Sequence, residues 1–163
     1  MKTLVRIVVA AACVLVALTW LKAQSTLGGP APAKRVIHMA AVEPRGGTAV
    51  TAEPYPTAPL PAGPGYVLRA PDSTGRWEVS GYYWQPGFIV VGEGDDVTLE
   101  ILGINGAEHP STIEGINAAP FTVRRGQITT VAFRAGRPGF YRIVCSTHLP
   151  SMVGHIAVLP RGR

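Results

Sequence analysis

The chain has 163 residues, room for one ordinary domain or a small domain with extensions. Its formal charge of +5 overstates the basic character, because Lys2, Arg6 and Lys22 lie in the N-terminal leader and the remainder carries twelve basic against ten acidic side chains. No basic block with interleaved aromatics occurs, so nucleic acid is excluded as a supported partner.

In chain order, the leader comes first. Lys2 and Arg6 precede an apolar run from Ile7 to Leu21 that only Thr19 interrupts, the order of an export signal. Ala23-Gln24-Ser25 fits a small-x-small cleavage site with Lys22 just before it, and the run is slightly short of the ~20 residues that span a bilayer. Residues 1–24 therefore read as either a cleaved signal peptide or a retained membrane anchor. Both place the rest of the chain in the periplasm or another extracytoplasmic space. From 25 to 75, "GGPAPAKRV", "TAEPYPTAPLPAGPG" and "APDSTG" are rich in Pro, Ala and Gly and show no sustained period. Proline removes backbone donors and pushes its predecessor toward extended forms, so this stretch is expected to be a largely disordered tether. His38, beside Met39, falls inside it and is expected to be solvated.

From Arg76 the signals are those of strands. "RWEVSGYYW" is aromatic and β-branched, and "FIVV" runs into the turn "GEGDD". Val97, Leu99 and Ile101 alternate with Thr98 and Glu100. "FTVRRG", "QITTVAF", "FYRIVC" and "MVGHIAVLP" complete a set of short strands with regular turns and no helix. Residues 76–160 are thus predicted to form an all-β sandwich or barrel. Phase puts Cys145 inward with Tyr141 and Ile143, and Met152 inward with Gly154, Ile156 and Val158. His155 falls on the opposite face and Glu108 is expected to be solvated. Arg124, Arg125, Arg134, Arg137 and Arg142 crowd the C-terminal half, as a solvated face or as a docking patch for an acidic redox partner.

Cys13 belongs to the leader, so Cys145 is alone in the exported part and has no partner for an internal disulfide. Its two readings are burial as a small apolar residue and ligation of a metal. "CSTHLPSM" places Cys145, His148 and Met152 within eight residues. A thiolate and a thioether suit Cu(I), and imidazole suits both copper states. Two His and one Cys with a weak axial Met make an electron-transfer site. The second His must come from elsewhere, from His109 in "NGAEHPSTI" or from His38 in the tether.

Cys145-x-x-His148 followed by Met152-Val153-Gly154 and an apolar strand resembles the plastocyanin-like blue copper proteins, the cupredoxins. "EVSGYYW", "HPSTI", "RPGFYRIVC" and "MVGHIAV" are also similar to segments of the copper domain of cytochrome c oxidase subunit II and nitrous oxide reductase. The resemblance spans roughly Trp77 to Pro160. It implies a Greek-key cupredoxin fold and the ligands His109, Cys145, His148 and Met152. It implies one copper ion cycling between Cu(I) and Cu(II), with His148 as electron port inside an apolar rim of Leu149 and Pro150. Three residues separate His148 from Met152, where plastocyanins usually have four and amicyanins two. The binuclear domains carry a second Cys four residues after the first; here that position is Leu149, so a single copper is expected.

The resulting expectation is an exported mononuclear electron carrier, not an enzyme, serving redox partner proteins such as a membrane oxidase or a cytochrome. The alternatives are an accessory copper subunit of a membrane terminal oxidase and a copper storage or delivery protein. His38 and His155 are too few for a further catalytic copper site, and Met39 and Met152 too few for a delivery tract.

Overall fold

The structure, a computed structural model, describes residues 31–161. The leader and its Cys13 lie outside them, as does the choice between signal and anchor. A compact unit runs from Pro32 to Pro160. Among the described residues no helix is long and apolar enough to cross a membrane.

Twelve strands make up the unit: β1 (Lys34–Val42), β2 (Arg45–Ala49), β3 (Tyr66–Arg69), β4 (Arg76–Gly81), β5 (Tyr83–Gln85), β6 (Phe88–Gly92), β7 (Asp96–Gly103), β8 (Glu108–Glu114), β9 (Phe121–Arg124), β10 (Ile128–Arg134), β11 (Gly139–Cys145) and β12 (Val153–Leu159). They form a four-stranded sheet in the order β10-β7-β1-β5, a five-stranded sheet in the order β6-β12-β11-β8-β9, and a three-stranded sheet in the order β2-β4-β3. The first two share one apolar core, as expected of the cupredoxin-like sandwich. Its first sheet contributes Met39, Ala41, Trp84, Val97, Leu99, Ile101, Val131 and Phe133. Its second contributes Ile89, Val91, Ile113, Val123, Ile143, Cys145, Ile156 and Val158. Alternation along β7 sends Val97, Leu99 and Ile101 inward as the sequence indicates.

The expected tether is corrected over its described part. Residues 34–42, 45–49 and 66–69 are strands, and β1 is central in its sheet. It runs parallel to β7, from Lys34 opposite Asp96 to Ala41 opposite Gly103, and antiparallel to β5. The reason is an alternation written in small residues: Met39 and Ala41 face the core, while Val36 and His38 face out. Its start is pinned by Asp95, fully buried, which accepts from Ala33 N at 2.7 Å, Gly92 N at 2.8 Å and Arg35 Nε at 2.6 Å. Residues 50–65 carry no strand, in keeping with their Pro-rich composition. His38 is exposed as expected, on β1 with Glu100 3.1 Å away, whereas its neighbour Met39 is core.

Candidate metal centre

The register assembles the site at one end of the sandwich. β8 and β11 are antiparallel, with Cys145 opposite Ser111. β11 ends at Cys145, and beyond it Ser146 N donates to Pro110 O at 2.9 Å, so the loop passes directly over the start of β8. His109, Ser111 and Ile113 alternate toward the core along β8. His109 is accordingly a strand residue with no solvent exposure. Cys145 N donates to Met152 O at 3.1 Å and Met152 N to His148 O at 3.0 Å, closing the 146–152 loop into a tight turn.

Three donor atoms converge. His109 Nδ1 lies 3.2 Å from His148 Nδ1, and Cys145 Sγ lies 3.3 Å from His148 Nδ1. The three ligand atoms fall within 4.8 Å of one another. A first-row ion about 2.0–2.3 Å from each donor holds them roughly 3.3–4 Å apart, so the residues fit a shared metal. His109 Nε2 lies 3.0 Å from the carbonyl of Asn105. A carbonyl only accepts, so Nε2 carries the proton and Nδ1 presents its lone pair to the cluster. Gly106, at φ +79°, makes room for the ring: a Cβ there would lie 2.8 Å from His109 Cε1.

Burial pushes the Cys145 thiol up, against backbone hydrogen bonds from Thr147 and His148 and a side-chain hydrogen bond from Ser111 that pull it down. Burial also pushes His148 down, helped by the neighbouring His109, so the neutral ring is favoured. A neutral imidazole and a buried thiol that a cation would deprotonate make a metal-accepting set.

Of the expected ligands, His109, Cys145 and His148 are brought together, while His38, the other candidate for the second imidazole, lies on β1 beside Glu100. Met152 is fully buried in the core that holds Cys145. His155 is exposed, and Glu108 is exposed opposite Arg124 at 3.6 Å. Of the C-terminal arginines, Arg124 and Arg142 lie in the five-stranded sheet, Arg134 in the four-stranded one, and Arg125 and Arg137 outside the strands; three have carboxylate neighbours, Arg124 with Glu108, Arg134 with Asp96 and Arg142 with Glu114.

Three neighbours escape sequence reasoning. Tyr82 stacks on His148, ring centroids 3.7 Å apart and planes 18° from parallel. Its hydroxyl hydrogen-bonds Glu43, whose carboxylate is 5% exposed and meets Arg45 at 2.5 Å. Asn105 clamps the backbone of Glu43, accepting from its N–H at 2.7 Å and donating to its carbonyl at 2.8 Å. Glu43 thereby connects to both imidazoles, to one through Asn105 and to the other through Tyr82. The only sequence signal was the doubled tyrosine of "GYYW", where one ring must face inward. The segment between β2 and β3 also reaches the loop: Gly65 N donates to Leu149 O at 2.9 Å and Ser151 Oγ donates to Gly65 O at 2.6 Å.

No protein-family model and no curated protein matches the chain. Among solved structures, a copper nitrite reductase from Nitrosomonas europaea is similar at a TM-score of 0.50 and 18% identity, covering 78% of this chain and 42% of that one. The multicopper oxidase mgLAC follows at 0.49 and 18%, covering 80% and 40%. A chain of a heme-copper terminal oxidase dimer gives 0.40 and 20%, covering 47% and 56%. The chain thus spans little more than half, or less, of the length of each. The likeness to the nitrite reductase is one of fold, an all-β cupredoxin-like sandwich of the kind the sequence resemblance implied.

Proposed function

We propose that the chain is a mononuclear copper protein that carries single electrons between redox partners outside the cytoplasm, and that it is not itself an enzyme. The observation that carries this reading is the meeting of the buried Cys145 thiol and His109 imidazole with the half-buried imidazole of His148, with Met152 in the same core. Two His, one Cys and a thioether favour copper over zinc, which takes closed four-ligand sites rich in Cys and His.

His109, Cys145 and His148 would hold the ion, with the thioether of Met152 as a fourth donor from the same core. Copper bound there supplies a one-electron couple. The protein's part is to keep the donors fixed and dry. Asn105 orients His109, Tyr82 lies flat on His148, and the N–H groups of Thr147 and His148 point at the sulfur. Electron exchange needs no open ligand position, in contrast to Lewis-acid work. Complete burial of His109 and Cys145 also speaks against delivery, which needs exchangeable, exposed ligands. The partner is proposed to be a membrane oxidase or a cytochrome, and co-purification with a membrane complex separates an accessory subunit from a free carrier.

Absorption and EPR spectra of the copper-loaded full chain, beside Cys145→Ser, test the reading. An intense band near about 600 nm, lost in the variant, is expected of thiolate-to-Cu(II) charge transfer. A colourless protein holding zinc tightly overturns it.

A further inference from the structure

The three-stranded sheet has one charged face. Register sets Arg45 beside Ser80, Gly47 beside Glu78 and Ala49 beside Arg76, with Val67 and Arg69 on the other flank of β4. Gly47 lets the side chains of Arg76 and Glu78 lie close over its backbone, since a Cβ there would come within 2.9 Å of Arg76 Nη2 and 3.1 Å of Glu78 Cγ. The face carries an open groove of about 530 Å³ that ends at Tyr82 and Glu43.

The groove touches the metal centre through one ring. Tyr82 lines it and stacks on His148 at 3.7 Å. Anything seated there against Tyr82 stands a single aromatic side chain away from a candidate ligand. On the other side, the backbone of Leu149 is covered by Gly65, and a Cβ at Gly63 would fall 2.3 Å from Leu149 O.

Charge selects the occupant. Arg45 and Arg69 are 69% and 73% exposed, and Arg76 is exposed as well. Of the two carboxylates, Glu43 is buried and already receives Arg45, Ser80 and Tyr82. Glu78 meets Arg69 at a long, exposed 3.8 Å, a contact of little strength. Arg76 makes no ion pair within 4 Å among the described residues; Asp72, the acid nearest in sequence, is engaged by the N–H groups of Thr74 and Arg76 and the hydroxyl of Thr74. The groove therefore offers guanidinium groups outward and keeps one of its two acids inside.

We propose that this groove is the docking site for an acidic segment of the redox partner, with Tyr82 as the contact to His148. The proposal rests on the electron-carrier reading and adds where the partner sits. Guanidinium forks pair with carboxylates, and the field they create steers an acidic surface to this side.

Two probes test it on the full chain, with and without copper, by amide NMR: the paramagnetic, redox-inert hexacyanochromate(III) anion and a short poly-glutamate peptide. At low salt both are expected to broaden or shift Arg45, Arg69, Arg76, Ser80 and Tyr82. The effect should fade as the Debye length falls from about 30 Å at 0.01 M to about 3 Å at 1 M. The exposed double variant Arg69→Glu/Arg76→Glu should abolish it and leave the copper spectrum unchanged. Perturbation confined to the Leu149 rim or to Arg137 and Arg142, or none at low salt, overturns the proposal. A coloured protein with a silent groove removes the docking site alone, whereas a colourless zinc protein whose groove still responds removes the redox role alone.

Discussion

Glu43 shows how a residue with no motif can matter as much as a ligand. Burial raises its carboxyl pKa, but hydrogen bonds from Arg45, Ser80 and Tyr82, with the charge of Arg45, more than offset this and hold it below the ordinary 4.5. A lowered folded value means that the unfolded chain binds the proton more readily. The stabilisation is therefore present above pH 4.5 and is lost as pH falls through the folded value. Glu43→Gln should cost about 2 kcal/mol near neutrality, and the gap from wild type should shrink in acid. Urea midpoints at several pH values read this directly. Cys145 carries the opposite lesson. Its thiol is raised, so ligation must expel a proton, and metal affinity should climb about tenfold per pH unit through neutrality. Competition with a chelator of known pH dependence measures the slope. The convergence of Cys145 and His148 was legible because they lie close together on a strand end and the loop that follows it. His109 was reached through the family resemblance. Tyr82, Glu43 and Asn105 were not legible, because their roles come from strands that meet only in the fold.

At the scale of elements, the sequence displays β7, β10, β11 and β12 through alternation, and hides β1 behind proline-rich flanks. "VIHMAAV" alternates, but Ala and Met carry little strand signal beside Val or Ile. Parallel pairing with β7 is a long-range event that local composition does not encode. The contact between Gly65 and the ligand loop is similarly silent in sequence. An added Cβ at Gly65 would lie 2.5 Å from His148 O and 2.6 Å from Ser151 Oγ, and the first of these is backbone that cannot swing aside. Gly65→Ala should therefore cost about 2 kcal/mol by overpacking and speed copper loss to a chelator. Gly46→Ala is the control, since nothing lies within 4 Å of its Cβ position and both readouts should stay near wild type.

For the whole molecule, the correction concerns where the folded unit begins. An all-β domain opening at Arg76 would leave β7 with a bare edge and β5 with no neighbour in its sheet, because β1 joins the two. It would also discard Met39, Ala41 and Glu43, removing part of the core and the clamp on Asn105. A fragment starting at Arg76 should show no cooperative urea transition by circular dichroism, whereas the full chain should show one. Between β2 and β3, residues 50–65 hold no strand, yet the carbonyl of Glu53 accepts from Trp77 Nε1 and Tyr55 packs edge-on against Trp77.

That strand-free stretch leads straight into Gly65, and Gly65 is hydrogen-bonded to the turn that carries His148. A protease that nicked the chain there would free the cut end from its anchorage. The damage would travel through two hydrogen bonds to the imidazole, and in the copper protein proposed above hue would then report backbone integrity.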